Sequence, residues 1–172
     1  MRHPPDLYAV LALDLGTFTG WALRVEGRLE SGVQEFAVKR GESPGMRYVA
    51  FNRWLREIAT PLLDVAADGR LALIAYEAAH HRGGAATEIA NGFTTRVQEH
   101  CARWQFNHVS VHSATLKKWV SGNGRASKDA IAEAVQRRGW LPAGSHASAL
   151  TDDELDAIGL LHYVEAEVLG PK

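Results

Sequence analysis

Two carboxylates lie at the ends of two short hydrophobic segments of this sequence. Asp14 is near the end of the apolar run 7–15, and Glu77 closes the apolar run 71–77. A carboxylate at the end of a buried strand is costly to desolvate unless a cation or hydrogen-bond donors accompany it. If the two runs form neighbouring parallel strands joined by a helix, both carboxylates emerge at the same edge of the sheet.

Further acids lie in the segment 151–156, near the end of the sequence. Asp153 and Asp156 are three residues apart, so both project from the same face of a helix, and Asp152 with Asp156 would do nearly as well. The spacing alone does not choose between the two pairs. A purely structural interpretation also holds, because Thr151 and Glu154 form a capping box and the helix dipole favours acids in a first turn.

Carboxylates from the two strand ends and from this helix would together suit magnesium. Mg²⁺ prefers hard oxygen ligands, keeps several waters, and binds through a few carboxylates plus a substrate phosphate. The sequence therefore predicts a metal site built from Asp14, Glu77, Asp156 and either Asp153 or Asp152. It contains no convincing Ser-His-Asp or Cys-His arrangement, and its single cysteine, Cys101, is expected to be a buried helix residue.

The surrounding pattern predicts the elements that hold these residues. Short apolar or alternating runs indicate strands, and apolar residues at helical intervals indicate the helices between them. Glu26-Gly27 is the expected hairpin turn, and Pro61 is expected to kink or split the first long helix. The order is β-β-β-α-β-α-β-α-α, with strands at 7–15, 21–25, 33–38, 71–77 and 107–112, and helices beginning near 43, at 85–104, at 127–138 and from 151 to about 169.

Composition agrees with one domain of the α/β class. The 172 residues are 46% hydrophobic and 23% charged, which is enough apolar surface for one core. We therefore expect a single domain over residues 1–172, with a five-stranded mixed sheet flanked by helices. A single cysteine excludes an intramolecular disulfide, and no apolar run is long enough to cross a bilayer, so we expect a cytoplasmic protein.

Charge is distributed unevenly along the chain. The formal net charge of -1 excludes a uniformly basic protein that coats nucleic acid, so a polyanion would have to bind a local patch. Basic residues are concentrated between Ser113 and Trp140, where only Asp129 and Glu133 are acidic, and this asymmetry indicates an edge that faces phosphate. The basic residues of this segment are Lys117, Lys118, Arg125, Lys128, Arg137 and Arg138.

Three motifs together resemble those of the RuvC-type Holliday-junction resolvases. The segment 12–21, Ala-Leu-Asp-Leu-Gly-Thr-Phe-Thr-Gly-Trp, resembles their opening strand, Tyr76-Glu77 their second acidic strand, and 153–157, Asp-Glu-Leu-Asp-Ala, the start of their last helix. The similarity extends from about residue 8 to about residue 163. It implies a ribonuclease H-like fold of the retroviral integrase superfamily, a homodimer, and magnesium-dependent nicking of branched DNA, preferably four-way junctions.

The same resemblance implies contacts between basic residues and DNA. Lys117 and Lys118, with the segment 122–128, resemble the basic stretch and the glycine-rich segment of the family. By that match Lys117, Lys118, Arg125 and Lys128 bind DNA, with Lys117 and Lys128 at the active site. A lysine near the scissile phosphate stabilises developing negative charge, so Lys128 is expected to be catalytic.

The sequence departs from the family shortly after the second acid. Many relatives have an aromatic residue there, whereas this chain has His80 and His81, followed by Arg82. A histidine ring can stack on a base, and His81 with Arg82 can contact phosphate. We therefore expect all three residues to bind DNA.

The resemblance also implies a mechanism, and two alternatives come from other classes of protein. By the match to the family's last helix, the ligands would be Asp14, Glu77, Asp153 and Asp156. They would hold two magnesium ions, replaceable by manganese, one activating a water and the other stabilising the departing 3′ oxygen, so that a dimer makes symmetric nicks. The segment 14–17, Asp-Leu-Gly-Thr, also resembles the phosphate-binding start of actin-like and sugar-kinase ATPases, which need two such domains. A junction-binding protein without turnover would keep the same fold.

Overall fold

The structure is a computed structural model that describes residues 8–78 and 83–170. The strands are β1 (Tyr8–Asp14), β2 (Phe18–Val25), β3 (Arg28–Glu35), β4 (Leu71–Glu77) and β5 (Asn107–Val111). The helices are α1 (Met46–Ile58), α2 (Thr60–Ala67), α3 (Ala85–Trp104), α4 (Ser113–Ser121), α5 (Lys128–Arg137) and α6 (Asp152–Tyr163). A short 3-10 turn (Ala147–Ala149) precedes α6, and a π-helical turn (Val164–Val168) follows it.

The strands form one mixed sheet in the order β3-β2-β1-β4-β5. The pairs β1-β2 and β2-β3 are antiparallel, whereas the pairs β1-β4 and β4-β5 are parallel. Parallel neighbours need a crossover connection, which α1 with α2 supplies for the first parallel pair and α3 for the second. The predicted five-stranded mixed sheet flanked by helices is confirmed.

Local turn signals predict the first half of the chain well. Glu26 and Gly27 have φ values of 50° and 76°, as a two-residue hairpin turn between β2 and β3 requires. Pro61 stands in the first turn of α2, and the predicted long helix is split at Ala59. The predicted bounds of the third strand, 33–38, are wrong, because β3 pairs with β2 from the turn onward and ends at Glu35.

The region after β5 differs more from the prediction. A loop is predicted there, but α4 begins directly at Ser113 and buries Leu116 and Val120. The predicted helix capped by Ser127 is confirmed, since its side chain accepts the N–H of Ala130. The last helix is shorter than predicted and becomes a π-helical turn at Val164.

The sheet divides the core into two halves. Alternate residues of a strand point to opposite faces, so Val10 and Ala12 of β1 pack with buried residues of α4, α5 and α6. Leu11 and Leu13 pack with buried residues of α1, α2 and α3, among them Cys101. No helix in the described ranges is long and apolar enough to cross a membrane.

Candidate active site

Asp14 and Glu77 are neighbours where β1 and β4 end. The parallel register brings the two strand ends side by side. Because side chains alternate along a strand, Asp14 lies on the same face as Ala12, and Glu77 on the same face as Ala75. Both alanines belong to the core half beneath α4, α5 and α6. Both carboxylates are therefore on the face of the sheet that α6 covers.

The first turn of α6 lies against β2 at Gly20. This glycine pairs with Asp14 across the β1-β2 ladder, and a Cβ at this position would overlap the backbone carbonyl of Asp153. The missing side chain thus lets the helix backbone touch the sheet next to Asp14. Gly20 lies inside β2, and the absence of a side chain there permits this close packing.

Two hydrogen bonds fix the start of α6. The Thr151 Oγ1 accepts the N–H of Glu154 at 3.2 Å. The predicted capping box is wrong in its second half, because the Glu154 carboxylate instead accepts a hydrogen bond of 2.6 Å from the Ser31 hydroxyl on β3. Glu154 is buried, so this bond satisfies a carboxylate that would be costly to leave without a donor.

The four acids are close enough to perturb one another's ionisation. Burial, followed by the charges of Glu77, Asp156 and Asp153, raises the pKa of Asp14 well above its usual range. Burial and the charge of Glu77 also raise the pKa of Asp156 to about 7. Such shifts are typical of carboxylates that share a poorly solvated site, and such sites are often functional.

Two lysines approach this acidic cluster from different helices. Burial raises the pKa of Glu77, while the Ser113 hydroxyl and the charge of Lys117 on α4 oppose that rise. Burial likewise raises the pKa of Asp153, and the charge of Lys128 on α5 opposes it. The structure therefore brings both lysines named from the sequence to the acids.

Asp152 and Asp153 have different surroundings. Asp152 accepts a hydrogen bond of 2.8 Å from the Lys128 Nζ, in an ion pair that is largely exposed. Asp153 lies against Gly20, and its charge is one of those that raise the pKa of Asp14. The pair Asp152 and Asp156, which the spacing left open, thus has one member engaged by a lysine at the surface.

The other basic residues named from the sequence lie outside this cluster or outside the described residues. Lys118 is exposed on α4, and Arg125 is exposed in the loop between α4 and α5, where its backbone N–H donates to the Asn123 side chain. His80, His81 and Arg82 fall in the gap between the described ranges 8–78 and 83–170.

The donor chemistry of the acidic cluster fits a hard divalent cation. In the described ranges no three His, Cys, Asp or Glu side chains form a ready-made metal cage. Magnesium is usually held by only one or two carboxylates, with waters and substrate phosphate as the remaining ligands. Buried carboxylates that repel one another, such as Asp14 and Asp156, are the groups whose charge such a cation would neutralise.

Sequence reasoning missed three residues that shape the site. The Ser113 hydroxyl favours the charged form of Glu77 because its hydrogen bond lowers the pKa of that carboxyl group. The Ser31 hydroxyl donates to Glu154, and the buried Thr19 donates a hydrogen bond of 2.8 Å to the Gly16 carbonyl in the turn that follows Asp14. The spacing of the apolar residues in α4 could have indicated the helix that Ser113 begins. No local pattern marks Ser31, because its partner is 123 residues away.

Solved structures with the same arrangement of elements exist. The chain matches a structure of Thermus thermophilus RuvC with a TM-score of 0.63 and 19% identity, over 91% of this chain and 95% of that one. It matches T. thermophilus RuvC in complex with Holliday junction substrate with a TM-score of 0.62 and 14% identity, over 88% and 89% of the two chains. No protein-family model and no curated protein matches the sequence. The chain therefore has the RuvC-type fold that its acidic motifs predict.

Proposed function

We propose that this chain is a metal-dependent, structure-selective DNA endonuclease that nicks branched DNA, with four-way junctions as its preferred substrate. The observation that carries the proposal is the convergence of four carboxylates where β1 and β4 end beneath α6. The fold likeness supports it, because one matching structure is RuvC in complex with Holliday junction substrate. Buried carboxylates that repel one another destabilise a fold, so their presence indicates that they have a catalytic or ligand-binding function.

We assign Asp14, Glu77, Asp153 and Asp156 to magnesium binding, with two ions per site and manganese as a possible replacement. When bound, the ions supply an activated water and neutralise charge on the departing 3′ oxygen, which leaves 5′-phosphate and 3′-hydroxyl ends. We prefer Asp153 to Asp152 because the backbone of Asp153 contacts β2 at Gly20, beside Asp14. The Asp152 carboxylate is instead paired with Lys128.

The two lysines supply positive charge next to the acids. Lys117 and Lys128 approach the cluster from α4 and α5, where their ammonium groups can bind the non-bridging oxygens of the scissile phosphate. Such preorganised charge stabilises the transition state more than the ground state. The exposed pair of Lys128 with Asp152 contributes little to stability, and we assign it the function of orienting the lysine toward the substrate.

The neighbouring basic surface would hold the DNA backbone. Lys118 on α4 and Arg125 in the α4-α5 loop are exposed, and contacts from such side chains and from loop amides fix the register of DNA without reading its sequence. Two copies of the chain in a homodimer would present two acidic clusters, each nicking one of two symmetric strands.

The test is nicking of labelled four-way, three-way, flap and linear duplex DNA with and without magnesium. We expect paired nicks in the four-way junction that require the metal. Asp14→Asn should abolish nicking but leave junction binding intact, because phosphate affinity comes from the basic residues. Asp64→Asn, which alters an exposed acid on α2, is the matched control and should nick normally.

Three outcomes would contradict the proposal. Nicking that survives Asp14→Asn would remove the acidic cluster from the chemistry. Junction binding without nicking under any divalent metal would indicate a binding protein without turnover. ATP hydrolysis without DNA cleavage would favour the relationship to the actin-like ATPases.

A further inference from the structure

A second polar site lies between α1 and α3, away from the acidic cluster. It is a cavity of about 210 Å³ whose wall includes Arg56, Arg96, Glu99, His100, Arg103 and Trp104. Both helices pack on the half of the core opposite to the one beneath α4, α5 and α6. The sheet therefore separates this cavity, which we call the arginine cavity, from the four carboxylates.

Positive charge exceeds negative charge in the arginine cavity. Among the described residues, Glu99 is the one acid that lines it, and it is paired with Arg103 at 3.0 Å. Arg96 lies over the Tyr48 ring, with its guanidinium carbon 5.1 Å from the ring centroid. An arginine stacked in this way keeps N–H groups at its edge for further acceptors. In the ranges 8–78 and 83–170, neither Arg56 nor Arg96 has a carboxylate partner within 4.0 Å.

Helix dipoles explain only part of this arrangement. Arg56 and Arg103 stand in the last turns of α1 and α3, where a cation is favoured by the carbonyl ends of the helix. Arg96 lies in the interior of α3, so the dipole does not account for it. Nor does a dipole require that the three guanidinium groups line one cavity.

Aromatic rings border the arginines. The Trp104 side chain is 41% exposed although it is a large apolar group, and its ring centroid lies 6.4 Å from that of His100. Burial, followed by the charges of Arg103 and Arg56, lowers the pKa of His100. The cavity thus combines a positive wall with an exposed ring, which are the two features that bind a phosphate and the base attached to it.

We propose that the arginine cavity is a phosphate-binding site for a nucleotide, either free or within a nucleic-acid strand, with Arg56 and Arg96 as donors and Trp104 as the stacking surface for the base. Arginine is suited to phosphate because it donates two parallel N–H bonds. The cavity is smaller than a typical site for a drug-sized ligand, which suits a phosphate group and the edge of one base. The inference does not depend on the proposed nuclease activity.

The test follows the His100 imidazole by NMR in the full-length chain without divalent metal. Inorganic phosphate, deoxyadenosine monophosphate and a short single-stranded oligonucleotide are titrated in separate arms. Each should shift the His100 resonance, and phosphate should raise the pKa of His100 because it offsets the arginine charges. Tighter binding of the mononucleotide than of the oligonucleotide identifies a free nucleotide as the ligand, and the reverse order identifies a strand.

The variant that tests the site is Arg56→Gln combined with Arg96→Gln. Loss of two charged donors should lower phosphate affinity about tenfold or more. Arg53→Gln is the matched control, because Arg53 is exposed on the same helix but does not line the cavity. Neither arginine belongs to the apolar core, so the double variant should fold, and its thermal unfolding verifies this.

Two results would overturn the proposal. One is a His100 resonance that none of the three ligands shifts, or that shifts equally in the double variant. The other is a double variant that binds phosphate normally but dissociates from an oligomer to a monomer, which would assign the arginines to a contact between copies of the chain.

Discussion

The Ser31 hydroxyl and the buried Glu154 carboxylate are joined by a hydrogen bond of 2.6 Å. Ser31 lies on β3, at one edge of the sheet, and Glu154 lies between the two acids of α6 that we assign to metal binding. This bond therefore fixes the rotation of α6 about its own axis. We expect that rotation to orient Asp153 and Asp156 toward the strand ends.

Ser31→Ala should weaken both the fold and the activity. The change leaves a buried carboxylate without its donor, which costs about 1–3 kcal/mol of unfolding free energy, and it frees the first turn of α6. We expect a lower urea midpoint and a lower kcat/KM for a four-way junction. Ser110→Ala, at an exposed position on the opposite edge strand, should change neither quantity. An active and fully stable Ser31→Ala protein would show that the bond does not position the acids.

Gly20→Ala should displace α6 from the sheet. A methyl group at this position would overlap the backbone carbonyl of Asp153, and backbone cannot give way as a flexible side chain can. We expect a lower melting temperature together with loss of nicking. Gly45→Ala is the matched control, since its Cβ would meet only ordinary contacts 3.6 Å away. Normal activity of Gly20→Ala would mean that the approach of α6 to β2 is not needed for chemistry.

These two positions show why part of the site could be predicted from sequence and part could not. Asp14 and Glu77 can be predicted because an acid at the end of an apolar run is a local signal, and the strand order then places both acids at one edge. Gly20 and Ser31 act through the docking of α6 on β2 and β3. That docking depends on packing between residues more than 120 positions apart, which no local pattern contains.

The missed helix α4 has a different cause. Its segment 113–121 contains polar and basic residues next to the glycine-rich loop, so turn signals dominate the local pattern. In the structure, Leu116 and Val120, four residues apart, bury one face of this short helix against the core. Tertiary burial, rather than intrinsic propensity, decides its conformation.

Asp153→Asn and Asp152→Asn should have different effects on nicking. The backbone of Asp153 lies against the sheet beside Asp14, and its charge contributes to the raised pKa of Asp14. Asp152 pairs with Lys128 in an exposed position. We expect Asp153→Asn to abolish nicking and Asp152→Asn to reduce it only partly, by releasing the lysine. Single-turnover rates on a four-way junction measure this, and equal loss in the two variants would contradict the assignment of Asp153.

Asp14→Asn should stabilise the metal-free protein while it abolishes nicking. Burial and three neighbouring acids raise the folded-state pKa of Asp14. The folded protein therefore holds this proton more tightly than the unfolded chain, and the stability that it gains below the ordinary pKa of 3.8 is lost as the pH rises. The asparagine side chain of the variant does not ionise, so this loss does not occur. We expect a gain of about 1–2 kcal/mol in unfolding free energy at pH 7.5. Asp64→Asn is again the control.

Magnesium should stabilise the wild type more than the Asp14→Asn protein. A cation that binds only the folded wild type raises its melting temperature in proportion to the logarithm of metal concentration, and the Asp14→Asn protein should respond much less. Differential scanning calorimetry with and without magnesium measures both effects. A wild type that gains no stability from magnesium or manganese would argue against the metal assignment.

His162 should make the fold sensitive to mild acid. Its ring stacks on Trp140 with centroids 4.7 Å apart, and burial, followed by the charge of Arg24, lowers its pKa from 6.5 to about 4. Glu165, whose carboxylate is 3.5 Å from the ring, does not reverse this shift because Arg24 holds the same carboxylate at 2.7 Å. Since the unfolded chain binds the proton more readily, the stability associated with neutral His162 is complete above pH 6.5 and is lost as the pH falls toward 4.

The size of this effect can be measured by comparing two substitutions. The shift corresponds to about 3 kcal/mol of unfolding free energy, and urea unfolding at pH 7 and pH 4.5 should detect most of it in the wild type. His162→Gln lacks this titrating ring, so its stability should fall less over this range, although His100, whose pKa is also lowered, and the carboxyl groups still titrate. His112→Gln, which alters an exposed histidine, should keep the wild-type dependence. A wild type and a His162→Gln protein with the same pH dependence would mean that His162 accepts a proton in the fold as easily as in the unfolded chain.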